Sequence, residues 1–253
     1  MSNSEICQML PWDSEFFGKC IARLPENRVD SPKMRDTLLW CAANRVDCLY
    51  FLCDPGDAES LRLAEAHRFS FVDIRLTLEA RIPLADAEDD FMAGTGLRSA
   101  APDDISVLRD IARVSHKDSR FYFDPHFERE RCGDLYALWI EKSCTGWADV
   151  VLISCLDRQP VAYISCHRES DSRGRIGLVG VAPIAQKHGL GNQLVRGALR
   201  WFSAHDINEV SVVTQGRNVN AQRLYQRCGF MTKTVGIWFH RWAPFVVGES
   251  RHG

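Results

Sequence analysis

Gln186, Gly189 and Gly191 sit within a few residues of one another in the stretch Val179 to Val195, VGVAPIAQKHGLGNQLV. The stretch begins as an apolar strand, breaks at Pro183 and ends in a helical pattern. A helix that opens directly after a strand presents main-chain N–H groups without intrahelical partners, and a partial positive charge. Glycines let such a backbone come close to a ligand. The chemistry this suits is the holding of an anion, with a diphosphate wrapped by the N–H groups of Gln186 through Asn192. The known phosphate loops differ in spacing. A P-loop needs GxxxxGK[ST], and nothing in the chain fits. A dinucleotide fingerprint needs GxGxxG; here Leu194 stands at the third glycine position, and the acidic residue further on, Glu209, precedes a strand instead of ending one.

A third spacing is met in full. Gln186-Lys187-His188-Gly189-Leu190-Gly191 satisfies Q/R-x-x-G-x-G/A, after a strand and at the opening of a helix. It resembles the acetyl-CoA pyrophosphate loop of the GNAT (Gcn5-related) N-acetyltransferase superfamily. LRSAAPDDISVLRDIA, upstream, resembles the opening strand and first helix of that superfamily, and NVNAQRLYQRCGF, from Asn218, resembles its last helix. The resemblance covers Leu97 to about Trp242. It implies acetyl-CoA as co-substrate, no metal, and transfer of the acetyl group to an amine. It places the pantetheine beside Leu178, Val179, Gly180 and Val181. The pyrophosphate would meet the N–H groups of Gln186, Lys187, His188, Gly189, Leu190, Gly191 and Asn192. Tyr225 would lie next to the CoA sulfur as the acid for the departing thiolate, since a phenol is still protonated at neutral pH. The implied oxyanion donor is a main-chain N–H near Val179. Asn220 is assigned to the CoA arm, while Asn218 suits a helix cap.

A narrower resemblance lies in PWDSEFFGKCIARL, SRFYFDPHFERE and LYALWIE, which look like the dTDP-fucosamine acetyltransferase family. That family carries a small α/β domain ahead of its GNAT domain. RLYQRCGF departs from it toward the general superfamily pattern. The resemblance implies a nucleotide-sugar acceptor, a dTDP-4-amino-4,6-dideoxyhexose acetylated at its 4-amino group, in bacterial surface polysaccharide biosynthesis. It puts Asp73 where that family has a carboxylate able to take the amine proton through a water. As part of an alternating strand, Asp73 equally suits an exposed face. His116 and His126 are further candidate bases, although a lone histidine commonly packs or sits at the surface. For the acceptor, Arg120, Phe121 and Tyr122 in HKDSRFYFDP offer a guanidinium for phosphate and rings for a base or sugar. The same aromatics would equally serve as core packing. Rival functions are an acetyltransferase of the same superfamily for another small amine or a protein N-terminus, and a domain that binds acetyl-CoA without catalysis.

The elements that must position these residues can be read more coarsely. At 253 residues, 45% hydrophobic and 25% charged, the chain is of ordinary globular composition and can bury a core. A net charge of -2 gives no global field toward nucleic acid or an anionic membrane. The N-terminus lacks the basic and apolar regions of a signal peptide, and no apolar stretch approaches the roughly 20 residues that span a bilayer. Ten cysteines without a CxxC pair read as reduced thiols of a cytoplasmic protein. The resemblance implies an α/β fold class: a GNAT fold with a mixed, mostly antiparallel central sheet flanked by helices, preceded by a small N-terminal α/β domain. The expected boundaries are 1–85 for that domain, an acidic, glycine-bearing linker at 86–96, the GNAT domain at 97–245 and a tail at 246–253. CLYFLC, FSFVDIRLTLEARI, ADVVLISCLD, PVAYISCHRE, RIGLVGV, EVSVVTQ and VGIWFHRW are the expected strands. The last, apolar and tryptophan-bearing, suits a homodimer edge.

Overall fold

The computed structural model describes residues 6–84 and 94–245. Contacts divide the chain into two compact units, one of Met1–Arg75 with Val235–Gly253, the other of Leu76–Thr234. The division falls inside two long strands, whereas the sequence placed it at 86–96, most of which, like 246–253, lies outside the described residues.

The first unit holds β1 (Gln8–Met9), α1 (Pro11–Phe17), β2 (Ile21–Leu24), α2 (Ser31–Ala43), β3 (Cys48–Cys53), α3 (Ala58–Ala66) and the start of β4 (Ser70–Arg81). Asp30 caps α2 by accepting from Lys33 N–H at 2.8 Å, and Asp57 caps α3 by accepting from Ser60 N–H at 3.2 Å. β2 pairs parallel with β3, and β3 pairs antiparallel with the last strand of the chain from Ile237↔Cys53 to Trp242↔Cys48. VGIWFHRW, Val235 to Trp242, therefore belongs to the N-terminal unit. Sequence reading assigned it to the other domain because strand pairing across nearly 200 residues leaves no local signal. The core of this unit joins Met34, Leu38, Leu49, Phe51 and Phe239.

The second unit runs through β5 (Leu97–Ser99), α4 (Ile105–Ser115), α5 (Arg120–Phe123), α6 (Arg129–Lys142), β6 (Val150–Leu156), β7 (Gln159–Arg168), β8 (Arg173–Val181), α7 (Leu190–Ser203), β9 (Glu209–Gln215), α8 (Val219–Arg227) and the start of β10 (Met231–Trp242). Its strand order is β4-β9-β8-β7-β6-β5. β5, β6, β7 and β8 pair antiparallel in turn, and β8 with β9 is parallel, so the sheet is mixed and mostly antiparallel. The period of two along β7 sorts its neighbours. Ala162, Ile164 and Cys166 join Leu194, Val195 and Ala198 of α7 in one core cluster, while Tyr163 turns to the other face and meets His116 at the end of α4. No helix among the described residues is long and apolar enough to cross a membrane.

The helix entry at Pro102-Asp103-Asp104 is tied to β5 by a two-pronged ion pair. Arg98 donates from Nη1 and Nη2 to the Asp104 carboxylate at 2.7 and 2.8 Å, and Ala101 N–H donates to the same group at 2.7 Å. The Arg98 guanidinium holds the Asp104 carboxyl below its usual range, and the Ala101 N–H adds to this. A depressed folded value means that this stabilisation is present above the unfolded carboxylate value and is lost as pH falls through the folded one. Asp104→Asn is expected to lower stability by about 1–2 kcal/mol, discounted for the half-exposed arginine, and calorimetric scans at pH 7 and pH 3 should show the difference shrinking with acid.

Candidate active site

β8 and β9 begin as a regular parallel pair and then part. Their register runs from Arg173↔Glu209 to Ile176↔Val212, while β8 continues to Val181 and β9 to Gln215. On its other side β8 stays paired with β7, through Ile164↔Val179, Tyr163↔Gly180 and Ala162↔Val181. Leu178 N–H donates to Ser165 Oγ at 2.8 Å and Ala182 N–H to the Val161 carbonyl at 2.8 Å, so both point toward β7. Main-chain groups alternate edges along a strand. Val179 and Val181 therefore turn their N–H groups to the edge that β9 has left. Of the four β8 residues singled out in the sequence, these two present the open edge, and Leu178 and Gly180 do not.

The turn that follows is accessible and strained in a defined way. A short turn at Pro183–Ala185 leads into Gln186, whose Nε2 donates back to the Val181 carbonyl at 3.3 Å. Lys187 has φ 66° and Gly189 φ 80°, both left-handed, and residues 186 to 189 are exposed. Gly189 is the N-cap of α7 and brings no side-chain cap. The first helix donor is Gln193 N–H, to the Gly189 carbonyl at 3.1 Å, which leaves the N–H groups of Leu190, Gly191 and Asn192 without a carbonyl one turn behind. Gly191 has a different reason to be glycine: a Cβ there would stand 3.1 Å from Leu224 Cδ2 of α8. Asn192 is held sideways, accepting from Arg196 Nε at 2.8 Å and donating to Cys228 Sγ at 3.5 Å. The turn thus offers a row of main-chain donors at a helix N-terminus, open to an anion.

Tyr225 lies on α8, 5% exposed, in the same core cluster that Val179, Val181, Leu190 and Leu224 pack against. Its ring meets Phe230 edge-on at 5.8 Å, and no hydrogen bond to its hydroxyl is found among the described residues. Burial pushes the phenol above its ordinary value, so it is a proton donor and not a base at neutral pH. Asn218 caps α8, accepting from Ala221 N–H at 3.0 Å. Asn220, two residues on, is exposed.

Asp73 does not sit on an exposed face. It is 3% exposed, and its Oδ1 accepts from the N–H of Ile74, which is itself out at 37%. The alternation read along β4 breaks between Val72 and Asp73, both buried. The carboxylate belongs to the first unit. Of the three aromatic-segment candidates, Phe121 is buried against Phe127 at 5.5 Å, and the Tyr122 hydroxyl donates to the Arg113 carbonyl at 3.3 Å. Arg120 lies over the Phe121 ring at 4.4 Å. The neighbour that stands outward is Phe123, 52% exposed, with the Arg217 guanidinium 4.0 Å from its ring. Arg217 is two residues past the end of β9, so this contact brings α5 to the splayed end of the sheet. His116 Nε2 is 2.9 Å from Tyr163 Oη, and its ring stacks on Tyr136 at 4.4 Å. Burial lowers its pKa to about 4, so it is neutral near pH 7. His126 faces solvent, with Nδ1 2.8 Å from Asp124 Oδ1.

Sequence reading missed the Phe123–Arg217 pair, whose members are 94 positions apart, and the β8 bulge with its polar support. Nothing local marks either one.

Residues 109–230 match the profile of the acetyltransferase (GNAT) family. A curated relative, dTDP-fucosamine acetyltransferase of Escherichia coli O6:H1, is 24% identical over 238 residues, which cover 92% of this chain and 96% of that protein. Spore coat polysaccharide biosynthesis protein SpsD of Bacillus subtilis is 25% identical over 141 residues, covering 56% of this chain and 48% of that protein. Among solved structures, a GCN5-related N-acetyltransferase from Sphaerobacter thermophilus superposes with a TM-score of 0.64 at 15% identity, over 93% of this chain and 76% of that one.

Proposed function

Because the chain carries a GNAT acetyltransferase domain and is an acyl-CoA-dependent N-acetyltransferase, we propose that it moves acetyl from acetyl-CoA to the 4-amino group of a dTDP-4-amino-4,6-dideoxyhexose. The amine attacks the thioester directly, in the cytoplasm, in the making of a bacterial surface polysaccharide.

The observation that carries the reading is the parting of β8 and β9 beside an uncapped helix N-terminus. An extended chain of amide groups fits the open edge at Val179 and Val181. A diphosphate fits the N–H groups of residues 187–192, where Gly189 has open space around it; the Gln186 N–H, expected among them, already donates to the Pro183 carbonyl at 3.4 Å. In this arrangement the Val179 N–H donates to the oxygen on which charge develops. Tyr225 gives its proton to the departing thiolate, and the same burial that keeps the phenol protonated makes it unsuited to deprotonate the amine. Asn220 meets the CoA arm from the exposed side of α8.

For the acceptor, support comes from the relative that acts on dTDP-fucosamine and from α5, where Arg120 and the Phe123–Arg217 pair set two guanidinium groups and an outward ring near the splayed end. A nucleoside diphosphate needs those two kinds of group. The test is thiol release from acetyl-CoA with a panel of dTDP-amino sugars, alongside a small-amine and peptide panel. Release is expected with a dTDP-4-amino-4,6-dideoxyhexose. Release only with another amine would sink the acceptor assignment, and failure to bind acetyl-CoA would sink the donor assignment as well.

A further inference from the structure

Ser165, His167 and Gly177 support β8 from the edge opposite the open one, and the reading above gives them no part. Ser165 is fully buried on β7 and stands opposite two residues of β8, Gly177 and Leu178, where the register shifts between Ile164↔Val179 and Cys166↔Ile176. Its Oγ is 2.8 Å from Leu178 N and 3.4 Å from His167 Nε2, and His167 Nδ1 is 3.0 Å from the Trp147 carbonyl oxygen. The directions follow from the two ends. A carbonyl only accepts, so Nδ1 carries the proton. A neutral imidazole then accepts at Nε2, so the Ser165 hydroxyl donates to His167 and keeps its lone pair for the Leu178 N–H. Gly177 leaves the room for this: a Cβ there would fall 2.5 Å from His167 Nε2 and 2.6 Å from Ser165 Oγ.

The bulge decides which N–H groups β8 turns outward. An extra residue shifts the alternation of the strand by one. With Leu178 N–H bound on the β7 side, the Val179 N–H comes to the open edge. Were Gly177 and Leu178 drawn into regular pairing, odd and even positions would exchange edges, and Val179 would turn away from the gap.

We infer that Ser165 and His167 are positioning residues for acetyl transfer, holding the β8 bulge so that the Val179 N–H faces the thioester oxygen. This rests on the acetyl transfer proposed above. Oxyanion donors act through placement, and loss of one costs roughly 10²- to 10³-fold in kcat in well-studied enzymes.

The test compares wild type with Ser165→Ala, His167→Leu and His167→Gln. It measures acetyl-CoA affinity by calorimetry and kcat with dTDP-4-amino-4,6-dideoxygalactose, or with the amine the panel selects. Ser165→Ala and His167→Leu should bind acetyl-CoA within about twofold of wild type while kcat falls roughly tenfold or more. His167→Gln still offers Ser165 an acceptor and should retain most of kcat. Protonated His167 has no acceptor at Nε2, so wild-type kcat should fall on the acid side, and His167→Gln should lack that limb. Burial, then Arg175 on β8, keep the His167 pKa below the ordinary histidine value, while the Trp147 carbonyl, Asp149 and Glu169 pull the other way. If Ser165→Ala does not fold, the pH comparison between wild type and His167→Gln decides. Unchanged kcat in Ser165→Ala and His167→Leu, or the same acid limb in His167→Gln, would overturn the inference and leave acetyl transfer standing. A wild-type protein that fails to bind acetyl-CoA overturns both.

Discussion

Replacing Tyr225 by phenylalanine is expected to lower kcat by roughly 10²-fold or more, with acetyl-CoA affinity and melting temperature near those of the wild type. The ring is what packs: it meets Phe230 at 5.8 Å in the core cluster, and phenylalanine keeps that contact. The hydroxyl has no hydrogen-bond partner among the described residues, so its removal strands no buried group and costs little stability. What it removes is the proton for the thiolate. A CoA thiolate departing without an acid must be protonated by water, and the loss appears in turnover and not in binding. The same burial makes a second expectation. The phenol titrates above its ordinary value, so kcat should show no basic limb from Tyr225 below about pH 10. Steady-state kinetics of the variant over a pH series, with calorimetry for acetyl-CoA, checks both. Turnover near wild type in a folded variant would remove Tyr225 from the chemistry.

How much of this was legible in the sequence depended on distance along the chain. The phosphate-type turn was legible because its logic is local: a strand, a proline, two glycines two apart and a helix lie within 17 residues, and the structure forms each of them. Tyr225 was singled out through a family resemblance carried by the run from Asn218 to Phe230, and what the structure adds is its place: on the short helix that Asn218 caps. Three things were not legible. The aromatic run at Arg120 to Phe123 gave residue types without directions, and one turn of helix turned Phe121 inward and left Phe123 out. Asp73 followed an alternation that β4 does not keep: Val72 and Asp73 are buried in succession, and nothing in the local residue types marks that break. The unit boundary itself was drawn at a composition shift, while the contacts follow the pairing of β10 with β3, residues far apart in sequence.

Gly180 shows how a packing constraint and a site constraint fall on one residue, and Gly180→Ala should reveal both. A Cβ at this position would lie 2.5 Å from Tyr163 Cε1 and Cζ and 2.7 Å from its Oη. Such a clash is cheap only where the neighbour can move. Tyr163 cannot swing aside: it is fully buried, its hydroxyl shares a 2.9 Å hydrogen bond with His116, and His116 stacks on Tyr136. The strand must yield instead, and overpacking of this kind costs about 1–3 kcal/mol, a fall of several degrees in melting temperature for a chain of this size. The two residues beside Gly180 are Val179 and Val181, the ones that face the open edge. A shift approaching 1 Å at reacting groups can cost on the order of 10²-fold in rate. Activity measured well below the melting temperature should therefore fall by more than the loss of folded protein explains. Tyr163→Leu in the same chain removes the ring that the new methyl strikes. The double variant should be more stable than the sum of the two single effects predicts, because neighbours that share one space do not add. Thermal denaturation of the four proteins measures that coupling. Strict additivity would mean that β8 accommodates the methyl without pressing on Tyr163.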